Sequence, residues 1–161
     1  MTLGANVGVE TLYALRLGAA KVVAIEPSPV NVAVLEKNFA KEIEQGRVIV
    51  YPKGVWDKDD ILELHLNDDT SAMDSFLIKR EHSSRVVKAP LTTIDKLVEE
   101  LKLERVDFIK LDTEGAERKA LAGGRQTIAK FKPRMEISVD HLPGDPEEVP
   151  VIARSINPGY N

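Results

Sequence analysis

Cysteine is absent from the 161 residues, which removes disulfides, thiolate metal ligands and thiol nucleophiles and fits a reducing compartment. A basic excess is missing too. With 22 Lys and Arg against 26 Asp and Glu, the formal net charge is −4, so nothing is left over to neutralise a phosphate backbone and nucleic acid is not an expected partner. No apolar run approaches the ~18 residues that a membrane-spanning helix needs. Nor does a basic region lead into an apolar stretch at the amino terminus, as a cleavable leader would require. A cytoplasmic location with no membrane partner is therefore expected. Repeats and low-complexity tracts are also lacking. What is present is an ordinary balance of apolar and charged residues, and a length that predicts a single domain over residues 1–161 with room for a three-layer core.

Strand-like and helix-like patterns alternate along the chain, which predicts an α/β fold with a mostly parallel sheet and helices on both faces. The turn Gly4-Ala5-Asn6-Val7-Gly8 leads into a helix predicted over 9–17, with Val9, Leu12, Ala14, Leu15 and Leu17 as its apolar face. Residues 21–26 read as a buried strand ending in Glu26-Pro27. Ser28 and Pro29 then open a helix expected to reach Glu44, and a third strand follows over 47–51. Gly54-Val55 sits in a predicted turn, and residues 61–66 alternate as a half-exposed strand. Residues 67–84 form a long polar loop or flap, and long loops in compact domains are often functional. A short strand is predicted at 85–89, a helix at 93–101, a strand at 106–111 and a helix at 114–129 interrupted by Gly123-Gly124. A last strand is predicted over 133–139, with a short helix around 149–155. Only Met1, Thr2 and Leu3 are available as the strand before the first turn, so the sheet reads as truncated at its front.

In such sheets ligands bind beyond the carboxyl ends of the strands, and the unusual polar residues all fall at those ends. Gly4 and Gly8 permit a tight turn and close backbone approach. Glu26 follows about 20 residues later, where an acid accepts hydrogen bonds from ribose hydroxyls. Dinucleotide sites favour a glycine where this chain has Asn6, and a third where it has Val9. A nucleoside with an amino-acid tail suits Asn6 better, since its amide can bond a carboxylate, and S-adenosylmethionine fits that description.

The Gly4-Ala5-Asn6-Val7-Gly8 turn, Glu26-Pro27, and Asp107-Phe108-Ile109-Lys110-Leu111-Asp112-Thr113-Glu114-Gly115-Ala116-Glu117 stand in the order found in one family. The chain resembles the FkbM family of S-adenosylmethionine-dependent methyltransferases, and the segment from Ile137 to Tyr160 resembles a branch of it. The resemblance implies a Rossmann-like class I methyltransferase fold. It also implies a cofactor site in which Gly4, Ala5, Asn6 and Gly8 line the methionine part, Glu26 and Pro27 hold the ribose, Gly54 and Val55 lie along adenine, and Asp112 sits near the sulfonium. The implied activity is O-methylation of a small-molecule or carbohydrate-like acceptor. Two departures stand out: Thr2 occupies a position where the family has an acid, and the chain stops at Asn161 where the family continues into two further strands. A sheet without its terminal strands exposes an edge, which a homodimer would cover.

If the acceptor is a hydroxyl, a base must take its proton. Asp112 and His141, both expected at strand ends, are the candidates, with a loop histidine bonded to backbone as the plainer reading of His141. Glu114 reads equally as an acid stabilising the first turn of its helix. No spacing points to metal: Asp68, Asp69 and Asp74 lack the glycine and terminal glutamate of a calcium loop, and His65 and His82 have no partners. Trp56 reads as packing, and Lys79, Arg80 and Arg85 as solvated surface or as a grip on an anionic acceptor. Two other classes remain: a cofactor-binding domain without activity, and a nicotinamide-dependent oxidoreductase.

Overall fold

The computed structural model describes residues 1–160. In chain order the first elements are β1 (Thr2–Leu3), α1 (Val9–Arg16), β2 (Val22–Ile25), α2 (Pro29–Asn38), α3 (Ala40–Glu44), β3 (Val48–Tyr51), β4 (Gly54–Val55) and β5 (Asp60–Leu66). After them come β6 (Arg85–Thr92), α4 (Ile94–Glu100), β7 (Phe108–Leu111), α5 (Glu117–Ala122), α6 (Arg125–Phe131), β8 (Arg134–Ile137) and α7 (Asp145–Ile156). Five strands form one sheet in the order β3-β2-β1-β7-β8, and every pairing in it is parallel. This is the expected α/β class, and its order is that of a doubly wound sheet. The chain winds outward from β1 to β3, then returns to lay β7 and β8 on the other side of β1. The two halves therefore diverge between β1 and β7, and ligands bind at such switch points.

Short as it is, β1 is central. Thr2 pairs with Ala24 and Lys110, and Leu3 with Ile25 and Leu111. All four residues of β2 are buried, as expected of a strand covered on both faces. Leu3, Ile25, Ile109 and Leu111 join Ile94, Leu97, Leu121 and Ile128 in the main core. A smaller sheet, β4-β6-β5, stands beside the first, with β5 and β6 antiparallel. The flap of residues 67–84 connects those two strands and carries a short 3-10 turn at Ser71–Met73.

Several expectations need correction. The helix α1 does not bury Val9, Leu12 or Leu17, all of which are exposed. It packs through half-buried Leu15, as expected, and through fully buried Thr11, whose hydroxyl meets that of Thr2 at 3.1 Å. The predicted 28–44 helix breaks at Phe39, whose ring turns in against Gly8. Gly54-Val55 is a short strand paired with β6 rather than a turn. The strand at 85–89 continues through Pro90 to Thr92. Proline cannot donate to a ladder, but β4 pairs only with Leu91 and Thr92, so no strand lies on the second side of Pro90. The helix predicted from Glu114 begins at Glu117 and splits at the two glycines. The carboxyl-terminal helix is longer than expected, running over Asp145–Ile156. Trp56 is a packing residue, buried edge-on to Phe76 with 6.4 Å between ring centroids. Among the described residues, no helix is long and apolar enough to cross a membrane.

Candidate functional site

The turn after β1 is shaped by its neighbours on both sides. The amides of Gly4 and Ala5 both donate to the Ile25 carbonyl, at 3.1 and 3.0 Å, which folds the chain sharply over the end of β2. Gly4 takes φ +78°, and a Cβ there would lie 1.8 Å from the carbonyl oxygen of Asp112, at the end of the adjacent β7. Asn6 has φ +48°, a left-handed conformation that asparagine tolerates better than most residues. This aims its amide at Glu26 Oε2, 2.8 Å away. Gly8 serves packing instead: a Cβ on it would meet the Phe39 ring at 2.3 Å.

Glu26 closes the end of β2. It is 4% exposed, and its carboxylate accepts from the amides of Asn6 and Ser28 and from Asn31 Nδ2. A carboxylate offers about four acceptor positions, so one remains for a ligand. Burial pushes the Glu26 pKa above the ordinary range, the three hydrogen bonds pull it back, and nearby Asp74 raises it further. Asp74 comes from the flap, and burial raises its own pKa. Between these groups lies a cavity of about 50 Å³. Gly4, Asn6, Glu26, Pro27, Gly54, Val55 and Asp112 all line it, while Ala5, Gly8 and His141 do not. Ala5 is instead buried with Ala24 and Leu35.

The flap forms the remaining wall. Ser71, Ala72, Asp74 and Phe76 face the cavity. It is fastened to β5 by the paired backbones of His65 and Ser75, and across the cavity by three side chains: Ser75 Oγ donates to the Glu114 carbonyl at 2.6 Å, Arg80 pairs with the Glu114 carboxylate at 2.6 Å, and Ser71 Oγ approaches Asn6 Oδ1 at 3.5 Å. Arg80 is thus a half-buried latch rather than solvated surface.

Beyond β7 the chain gathers acids. Asp112 follows the strand directly, and Lys110 Nζ holds its Oδ2 at 3.2 Å. Burial works against the charge on Lys110, but Asp112 and Glu136 outweigh it and raise its pKa. Glu114 adopts φ +53° and precedes α5 instead of starting it, so it faces the cavity and does not serve the helix dipole. Glu117 is fully buried. It accepts from the Thr113 amide at 2.7 Å, the Thr113 hydroxyl at 3.0 Å, the Gly115 amide at 3.1 Å and His141 Nδ1 at 3.0 Å. His141 lies four residues past the end of β8, in the loop to α7, where Nε2 approaches Glu114 Oε1 at 3.3 Å and Asp112 Oδ1 at 3.5 Å. The structure thus joins Asp112 and His141 and adds Glu114 and Glu117. Glu117 lay within a recognised motif, but nothing in the sequence marked it as a partner of His141.

Residues 3–156 match the family described as the methyltransferase FkbM domain. The chain belongs to that family. No curated protein matches it. The crystal structure of methyltransferase FkbM from Methylobacillus flagellatus KT shares the fold, with a TM-score of 0.72 at 24% identity over 99% of this chain and 37% of that one. This FkbM domain therefore spans little more than a third of the length of that relative. In its doubly wound sheet the acid cluster and the Gly4–Glu26 cradle share the carboxyl ends of neighbouring strands.

Proposed function

We propose that this domain transfers a methyl group from S-adenosylmethionine to a hydroxyl oxygen of a small-molecule or glycan acceptor. The supporting observation is the meeting, at the β1/β7 switch point, of a buried carboxylate with a free acceptor position and a second group of carboxylates 3.5 Å or less from an imidazole. Glu26 suits a ribose hydroxyl, the Gly4–Asn6 backbone an amino-acid tail, and the Gly54–Val55 wall an adenine ring. The methyl group would then point toward Asp112, with the acceptor on its far side. Holding acceptor oxygen, methyl carbon and sulfur in line supplies much of the rate in such a transfer.

The cavity of about 50 Å³ is well below the ~300–1,000 Å³ of ordinary ligand pockets. Cofactor entry therefore requires the flap to lift, breaking the Ser71, Ser75 and Arg80 contacts.

Calorimetric titration with S-adenosylhomocysteine, alongside NAD, tests the reading. Submillimolar binding of the first and none of the second is expected. Glu26→Ala removes a charged acceptor worth ~1.5–3 kcal/mol and is expected to weaken binding by about 10- to 100-fold. Binding of NAD alone would point to an oxidoreductase, and no binding by the folded protein would remove the cofactor reading.

The same titration has a pH signature. The ribose contact needs Glu26 ionised, and its raised pKa means that protonation begins at a higher pH than for an exposed glutamate. S-adenosylhomocysteine affinity is therefore expected to fall on acidification before ordinary carboxylates titrate. Glu26→Gln should lose that dependence apart from the share due to Asp74, whose pKa burial also raises, and an equal pH dependence in the two proteins would assign the effect elsewhere.

A further inference from the structure

We propose that Asp112, Glu114 and His141 bind a divalent cation suited to mixed nitrogen and oxygen ligands, such as Mn²⁺ or Zn²⁺. The site itself stands on the geometry of these residues; only its role in catalysis rests on the function proposed above.

The geometry fits first. One ligand atom from each residue lies within 4.8 Å of the others, with Nε2 at 3.5 Å from Asp112 Oδ1 and 3.3 Å from Glu114 Oε1. An ion bound at ~2.0–2.2 Å from each ligand needs adjacent ligand atoms about 3 Å apart, so small side-chain shifts complete the coordination.

Donor and acceptor accounting places the ion. Glu117 is fully buried and as a carboxylate only accepts, so the imidazole hydrogen sits on Nδ1, which it contacts at 3.0 Å. In the neutral ring Nε2 is then a lone pair. It points at two carboxylate oxygens that are also acceptors only. The far oxygens of both carboxylates are already engaged, Asp112 Oδ2 by Lys110 and Glu114 Oε2 by Arg80. Around the neutral ring three acceptors thus converge, and a metal ion in their midst takes the place that a proton on Nε2 would otherwise fill.

Charge points the same way. Four carboxylates reach the ring of His141, namely Asp112, Glu114, Glu117 and Asp140. Two cations touch them, Arg80 and a Lys110 that is shared with Glu136, so the cluster keeps an excess of negative charge that a divalent ion would reduce. A ligand histidine whose other nitrogen is held by a buried carboxylate is also the usual second sphere of a metal site, fixing tautomer and ring orientation. Imidazole among the ligands favours first-row transition ions over calcium.

Asp112 and Glu114 line the cavity, so the open coordination positions face the place assigned to the acceptor. A hydroxyl bound there has its pKa lowered and gives its proton to solvent water. Its oxygen forms the new bond to the methyl carbon as the sulfur–carbon bond breaks, and the sulfur keeps that electron pair. The ion is unchanged.

The test uses the 161-residue protein stripped with chelator and titrated calorimetrically with Mn²⁺, Zn²⁺, Mg²⁺ and Ca²⁺, with bound metal counted by mass spectrometry. One Mn²⁺ or Zn²⁺ per chain is expected. His141→Ala should abolish saturable binding. Glu117→Gln, which loosens the hold on the imidazole and on the Thr113–Gly115 turn without touching a ligand atom, should weaken it by about 10- to 100-fold. Thermal melting checks that both variants fold, and the Mn²⁺ resonance spectrum reports the ligand field in whichever folds better. The proposal is overturned by no saturable binding to the folded wild type, by undiminished binding in both variants, or by tighter binding of Ca²⁺ than of either transition ion. S-adenosylhomocysteine titration of the same wild-type sample keeps the two readings apart, since ion binding without cofactor binding would retain this site and discard the proposed activity.

Discussion

A Gly4→Ala protein is expected to unfold at markedly lower urea concentration, with a loss of about 2–5 kcal/mol, and to lose the proposed cofactor site. The loss has two parts. A Cβ in the left-handed region costs ~1–2 kcal/mol, and forcing extra volume into a packed site adds ~1–3 kcal/mol, occasionally more. The second part is unavoidable here because the added carbon would lie 1.8 Å from a backbone oxygen, that of Asp112, which cannot swing away as a side chain would. Register explains the closeness: Leu3 pairs with Leu111, so the next residue on each strand must pass the other. Relief would require the ends of β1 and β7 to part, and that gap is the floor of the cavity. Gly18→Ala separates the two parts, since Gly18 has φ +94° and nothing within 4 Å of its would-be Cβ. That variant should show only the left-handed cost. Equal urea midpoints for the two variants would show that close approach to Asp112 is not what requires glycine at position 4.

The same register explains what the sequence revealed of this site. Gly4, Glu26 and Asp112 were legible because each follows its own strand directly, and the strand signals are local: β-branched runs closed by a glycine, a proline or an acid. The switch point then collects them wherever the strands pair. His141 and Glu117 behaved differently. They lie 24 residues apart, and their meeting depends on how far the β8–α7 loop reaches back over α5, which no periodicity records. Glu114 was misplaced because an acid just before an apolar helical run reads as a first-turn residue, whereas its φ of +53° turns it toward the flap. The helix α1 misled for another reason. It carries two stripes, and the apolar one at Val9 and Leu12 faces outward while Thr11 is buried. A hydroxyl paired with Thr2 loses little by burial, so hydrophobicity alone found Leu15, which packs on the core, but missed Thr11. The predicted strand at 85–89 likewise stopped short, since a proline such as Pro90 is excluded only where a strand lies on each side, and β6 runs on through it.

What holds the His141 loop in reach of Asp112 is a second ionic cluster, and Arg118→Ala is expected to cost about 3–5 kcal/mol. At ~2–4 °C per kcal/mol for a chain of this size, the melting temperature should fall by roughly 6–20 °C. Arg118 on α5 donates through Nε to Asp145 Oδ1, through Nη1 to Glu148 Oε2 and through Nη2 to the Pro143 carbonyl, each at 2.7 Å. Asp145 is 1% exposed, and its other oxygen accepts the Leu142 amide at 2.8 Å. One arginine therefore ties the start of α7, the residue before its cap and the loop after His141 to the helix that carries Glu117. Removing it leaves a buried carboxylate with a single backbone donor, and that uncompensated charge dominates the cost. Lysine at position 118 should recover only part of it, because an ammonium cannot span three acceptors as the guanidinium does. An Arg118→Met, Asp145→Leu double variant should be more stable than Arg118→Ala, since removing both charges also removes the desolvation penalty. A melting temperature for Arg118→Ala within 2 °C of wild type, or a double variant less stable than the single one, would mean that apolar packing between α5 and α7, and not this ion pair, positions the loop.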